Sequence, residues 1–347
     1  MSDSGGVATG SIRRVVVSRY GGPEELRLVQ DAAPQPARGE VRVRTLAAGV
    51  SFPDVLIREG TYPGGPPPPF TPGYDLVGVV DALGPAAAGF DLGEVVAAIT
   101  VVGGYADAVC VPQQHLARVP AQVDPAEAVC LAFNYITAYQ LLTRAARVRP
   151  GERVLVHGGA GGVGSAALEL AAVAKLEAYA TASGTGGKVV AELGATPIDY
   201  RGEDFVRRIH ALTGDGADVV LDGIGGTVAL RSVRALAPGG RLVMYGHYAT
   251  LVGGRRDTRK VAIFYAAGAL AFAANLLPGR RVLAYQSAKT RDRHPDWYRT
   301  DLAALFRLLA DGHLHPLIAG RLPLTEVRHA HELLARGGVH GKLVLIP

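Results

Sequence analysis

Two rhythms of apolar residues divide the chain. Over residues 11–122 the apolar runs are short, as at 12–18, 40–47 and 77–83, and turns rich in glycine and proline separate them. That pattern predicts a β-rich unit. Within it, PGGPPPPFTPG (63–73) is expected as a loop, because consecutive prolines supply no ladder donors. From about residue 123, strand-like and helix-like segments alternate. Strands are expected at 153–156, 178–182, 196–199, 219–222, 241–245 and 281–285, and helices over 163–176 and 188–193. Such alternation argues a parallel, doubly wound sheet. The tail leaves it, with helices expected over 297–310 and 327–335 and a strand at 342–346. There is no internal repeat.

One apolar run needs separate treatment. VAIFYAAGALAFAANLL (261–277) holds 17 residues without a charge. A bilayer span needs roughly 20 apolar residues. This run is shorter, rich in alanine and glycine, and set between strands of the sheet. A pocket wall or a subunit interface is favoured over peripheral membrane contact, which the preceding Arg255, Arg256, Arg259 and Lys260 would help.

The 347 residues suffice for two domains with sizeable cores. A net charge of +5 suits a nucleic-acid binder, and equally an enzyme that draws in an anionic cofactor. The basic residues are scattered, without aromatic interleaving, which favours the enzyme and no nucleic-acid partner. Cys110 and Cys130 make no disulfide framework and fit a reducing cytoplasm. The opening MSDSGGVATGSIRR lacks the apolar core of a signal peptide and reads as a short disordered lead.

RVLVHGGAGGVGSAALELA (153–171) is the most informative stretch. Gly159, Gly161 and Gly164 form G-x-G-x-x-G after an apolar strand and before an apolar helix. Glycines permit the tight turn and let the backbone approach a pyrophosphate, whose charge then faces the helix N-terminus. Gly162 and Val163 belong to the same cofactor-binding turn. An NAD site usually ends its second strand with an acid for the ribose hydroxyls. Here the segment reads TASGTGGK (181–188), with no acid and a following lysine. Lys188 would attract a 2′-phosphate, and Ser183 and Thr185 would donate hydrogen bonds to it, so NADPH is the expected cofactor. Taken alone, Lys188 reads better as a solvated residue of a helical first turn.

With GVSFPDVLIREGTYP (49–63), FTPGYDLVGVV (70–80), FNYITAYQLL (133–142), VLVHGGAGGVG (154–164), ATPIDYRGEDFV (195–206) and DGIGG (222–226), the chain resembles the quinone oxidoreductase and zeta-crystallin group of the medium-chain dehydrogenase/reductase superfamily. Within that group it is most similar to the branch of synaptic vesicle amine-transport protein homologues. The resemblance runs from about Arg13 to Pro347. It implies an α/β fold, a Rossmann doubly wound parallel sheet plus a GroES-like β-rich catalytic domain built from both chain ends. The implied boundaries are 1–122 (catalytic domain), 123–293 (Rossmann) and 294–347 (return to the catalytic domain). It implies a homodimer. It also implies Tyr200 beside Lys188 at the 2′-phosphate, Gly246 near the nicotinamide ribose, and Asn134 and Thr137 along the cleft, Thr137 on the cofactor side.

By motif, Ser51 stands where zinc-dependent relatives carry a cysteine, and Tyr74 and Asp75 stand where they carry His-Glu. Serine and tyrosine are poor zinc ligands at neutral pH, and no metal site is expected. Without a Lewis acid the chemistry falls to acceptors that already stabilise added electrons, a quinone or an α,β-unsaturated carbonyl. Tyr62, in GTYP, matches the tyrosine that related enoyl reductases keep near the substrate; it is expected to donate a proton, or else to shape the pocket. Ser51, Tyr74, Asn134 and His247 are expected along the substrate. Two other functions remain open: a pathway-specific enoyl or iminium reductase, and a weakly active protein that binds NADPH and lipid.

Overall fold

A computed structural model describes residues 10–252, 255–276 and 279–347. Most of the expected N-terminal lead falls outside them. Six strands form one parallel sheet in the order Thr196–Asp199, Glu177–Ala182, Arg153–His157, Ala217–Asp222, Leu236–Met244, Arg281–Ala284. The sequence order reverses between Arg153–His157 and Ala217–Asp222. Ligands of open α/β sheets bind in the crevice beyond the strand ends at such a point. Val154, Leu155 and Val156 are fully buried because helices cover both faces.

A second sheet runs Ile318–Pro323, Lys342–Ile346, Glu40–Val50, Asp75–Leu83, Val95–Ile99, Leu116–Arg118, and Ala108–Pro112 also pairs with Glu40–Val50. Its pairs are antiparallel except Ile318–Pro323 with Lys342–Ile346. Both ends of the chain therefore build the β-rich unit. This is the α/β combination that the two rhythms and the resemblance imply.

The joining helical rod was not read in the sequence. It runs from Pro125–Cys130, through a wide turn at Leu131–Tyr135 and Ile136–Gln140, to a second wide turn at Leu141–Ala146. Asp124 caps it by accepting from the Ala126 amide at 2.8 Å. Almost every residue of 126–142 is buried, so the rod is covered all round and shows no amphipathic period. Wide turns of this kind recur at functional sites, and the first carries Asn134.

The fifth strand also begins earlier than expected, at Leu236 rather than 241. Pro238, Gly239 and Gly240 look like a turn in sequence, yet they form a bulge: Ala217 pairs with Leu236 and Val219 with Arg241. The apolar run from 261 becomes the helix Thr258–Ala273 followed by a turn at Ala274–Leu276; residue 277 lies outside the described residues. Phe264, Ala267, Gly268 and Ala271 are buried, while Ile263, Tyr265 and Leu270 are exposed. No helix among the described residues is long and apolar enough to cross a membrane.

Candidate active site

The glycine turn is built as its sequence demands. Gly158 adopts φ +72°, and only residues 158–161 separate the strand Arg153–His157 from the helix Gly162–Val173. A Cβ on Gly164 would lie inside contact distance of the Gly158 carbonyl, and one on Gly159 would meet Ala180 and Val190. A Cβ on Gly162 would meet the Asn134 amide. These glycines serve close packing. Gly161 differs: a Cβ there would approach only the Gly158 oxygen, at 3.3 Å. No side chain caps the helix, so its first amides, from Gly162, Val163 and Gly164, are orphan donors. That fits a pyrophosphate.

The four residues expected around a 2′-phosphate lie near one another at the end of the second strand. Ser183 donates to the Tyr200 hydroxyl at 3.1 Å, Tyr200 is 53% exposed, and Lys188 is exposed on the helix Gly186–Glu192. Thr185 Oγ1 pairs with His340 Nε2 at 2.9 Å. His340 comes from the returning tail, whose neighbour Gly341 donates to the Ala160 carbonyl at 2.9 Å. The sequence reading missed His340, because a contact 155 residues away leaves no local signal.

Across the cleft, Ser51 caps the short helix Phe52–Arg58 in a capping box with Asp54. Its hydroxyl donates to Asp75 Oδ1 at 3.1 Å and accepts from Lys342 Nζ at 2.9 Å. Lys342 Nζ also reaches Asp75 Oδ2 at 2.9 Å and Asn134 Oδ1 at 3.3 Å. All four side chains are buried. Burial raises the Asp75 carboxyl, and Lys342 opposes that. Asp54, fully buried, is pushed up to about 7 by burial and then by Asp75, and amide donation from Ser51 pulls it back. Lys342 was also missed; in sequence it is only the first residue of a strand.

Tyr62 stands where the two units meet. Its hydroxyl accepts from Gln286 Nε2 at 2.7 Å and pairs with the Tyr74 hydroxyl at 2.7 Å. Gln286 follows the sixth strand of the parallel sheet, so this contact joins the domains. Tyr62 is partly exposed, whereas Tyr74 is 2% exposed and packs on Phe133 at 4.8 Å. Burial raises both phenols above their ordinary value. Thr137 is buried, its hydroxyl 2.7 Å from that of Ser287. His247 packs at a tilt against Phe264, ring centroids 4.9 Å apart, and burial lowers its basicity. Gly246 is pressed against Gly223 so closely that a Cβ would strike its carbonyl. His157 is internal, bridging Thr181 and Ser232, as a packing residue would be.

Known proteins share this sequence and this fold. Residues 37–121 match the family described as "Alcohol dehydrogenase GroES-like domain" and residues 193–345 match "Zinc-binding dehydrogenase". The rat synaptic vesicle membrane protein VAT-1 homolog is 33% identical over 97% of this chain and 84% of its own length. Human quinone oxidoreductase is 32% identical over 98% of this chain and 100% of its own length. The chain belongs to the medium-chain dehydrogenase/reductase family. Among solved structures, Escherichia coli quinone oxidoreductase complexed with NADPH superimposes with a TM-score of 0.85, at 27% identity, over 96% of this chain and 100% of the other.

The zinc chemistry in one family description does not fit the donors of this member. At the position that the resemblance assigns to a metal stand a serine hydroxyl, a buried phenol and an aspartate already paired with an ammonium group. A second cation beside Lys342 would be repelled, and neither hydroxyl is ionised near neutral pH. Among the described residues no three His, Cys, Asp or Glu side chains cluster to hold a metal ion.

Proposed function

We propose that this family member is a zinc-independent, NADPH-dependent reductase of quinones and α,β-unsaturated carbonyls. The observation that carries the reading is twofold: the Lys342 ammonium bonds Ser51, where a zinc ligand would stand, and the Tyr62 hydroxyl accepts from Gln286 at the domain junction. The Rossmann unit is assigned to 123–293 and the catalytic unit to 1–122 with 294–347. The orphan amides of Gly162, Val163 and Gly164, with Gly159 and Gly161 clearing the approach, hold the pyrophosphate. Ser183, Lys188 and Tyr200, joined by Thr185 and His340, hold the 2′-phosphate. Gly246 and Thr137 flank the nicotinamide end. Bound NADPH supplies the hydride. Asn134 and His247 border the acceptor, with Ser51 and Tyr74 behind them, and Tyr62 delivers the proton that an enolate needs.

A homodimer is proposed as the working form, because Ile263, Tyr265 and Leu270 expose apolar surface beside the edge strand Arg281–Ala284. The first test is nicotinamide oxidation by the purified protein with an ortho-quinone and with an enone. NADPH is expected to be oxidised well ahead of NADH, and Lys188→Ala to narrow that preference about ten-fold. Equal use of both nucleotides would overturn the phosphate site, and turnover of neither acceptor would overturn the acceptor class.

A further inference from the structure

We propose that Tyr74 and Gln286 are positioning residues that both donate hydrogen bonds to the Tyr62 oxygen, aiming its proton into the cleft and stabilising the tyrosinate left behind. The proposal rests on the reductase reading above and assigns its proton step.

The donor directions follow from burial. Gln286 presents Nε2 to Tyr62 Oη at 2.7 Å, so Tyr62 is the acceptor there. The Tyr74 hydroxyl has no other hydrogen-bond partner among the described residues than Tyr62 Oη. A phenol that is 2% exposed cannot leave its proton unmatched without losing a hydrogen bond's worth of stability. Tyr74 therefore donates to Tyr62. The two lone-pair directions of Tyr62 are then filled, and its own proton turns toward the open side, since Tyr62 keeps partial exposure.

The arrangement is suited to an acid that must become an anion. Hydride adds to the β-carbon of an enone, the π electrons move onto the carbonyl oxygen, and an enolate forms. The Tyr62 O–H bond breaks, its proton joins the α-carbon, and the electron pair stays on Oη. Two hydrogen bonds to that oxygen are worth more once it is charged, so they stabilise the transition state more than the ground state. The Arg291 guanidinium, buried on the helix after Gln286, favours the same anion. Solvent then reprotonates Tyr62. Tyr74 thus takes a chemical part at the former metal position: it polarises a neighbouring acid where zinc would polarise substrate.

The experiment compares wild type with Tyr62→Phe, Tyr74→Phe, Gln286→Met and Gln286→Glu, using NADPH with an enone and with an ortho-quinone in parallel. The hydroquinone anion takes its proton from water, so the ratio of enone to quinone turnover isolates the Tyr62 step. Tyr74→Phe and Gln286→Met are each expected to lower that ratio about ten-fold and to raise the solvent isotope effect on enone turnover. Gln286→Glu is expected to fall further, because a carboxylate cannot donate and repels the tyrosinate. Parallel loss of both activities in Tyr74→Phe and Gln286→Met would mark a structural role and overturn the proposal. An unchanged ratio in both, with the ratio lost in Tyr62→Phe, would overturn the proposal and leave the reductase reading intact. A wild type that reduces the quinone but no enone would overturn the proposal and leave the quinone half of the reductase reading, and one that reduces neither would overturn both.

Discussion

The smallest decisive group is one ammonium. Lys342 Nζ contacts Asp75, Ser51 and Asn134, and all four side chains are out of water. Removing one partner of a buried ion pair strands the other charge, at a cost of about 3–5 kcal/mol. Lys342→Met is therefore expected to lower the unfolding free energy by that amount, measured by denaturant titration. The double variant Lys342→Met with Asp75→Leu should recover most of it, because the stranded carboxylate is gone. A double variant as unstable as the single one would show that packing rather than charge is at stake. None of this was visible in sequence. Asp75 was read only as standing where zinc-dependent relatives carry a glutamate, and the cation that pairs with it lies on the last strand.

At the scale of single elements, local chemistry told the most. The strand at 196–199 and the strand at 342–346 were read to the residue; the second is an apolar run after the turn residues Gly337, Gly338 and Gly341, and the first, TPID, lies between Gly194 and Gly202. The helix after the glycine turn was placed one residue late, at 163 instead of Gly162. The rod over Pro125–Ala146 escaped because burial on every side erases the helical period, and the bulge at Pro238–Gly240 because its residues are those of a turn. The same division holds for the site. Ser183 and Lys188 were proposed from one βαβ unit and Tyr200 from the resemblance, whereas His340 and Gln286 reach their partners across 155 and 224 residues. The turn itself offers a direct check. Gly164→Ala puts a methyl group against the Gly158 carbonyl, so the turn must open. Calorimetry should show NADPH affinity reduced by a factor of ten or more, whereas Gly161→Ala, with only one neighbour at 3.3 Å, should lose less.

Across the whole molecule, the two units are stitched by polar side chains at the cleft. Gln286 reaches Tyr62, His340 reaches Thr185, and Lys342 reaches Asn134 on the wide-turned rod. The Rossmann unit holds all six strands of its sheet in one continuous stretch, while the catalytic sheet needs both ends. Deleting 342–347 is expected to leave a protease-resistant core that begins near 123 and stops before 294, with the remainder digested. Uniform resistance or uniform digestion would contradict that division.

Lys342 lies 291 residues after Ser51. During synthesis at roughly 5–20 residues per second, the first β-strands wait on the order of half a minute for the strand that completes their sheet. The Rossmann unit emerges whole in the interval and folds first. Until Lys342 arrives, Asp75 faces the nascent site without its cation, so translation order makes the catalytic cleft the last part of the enzyme to close.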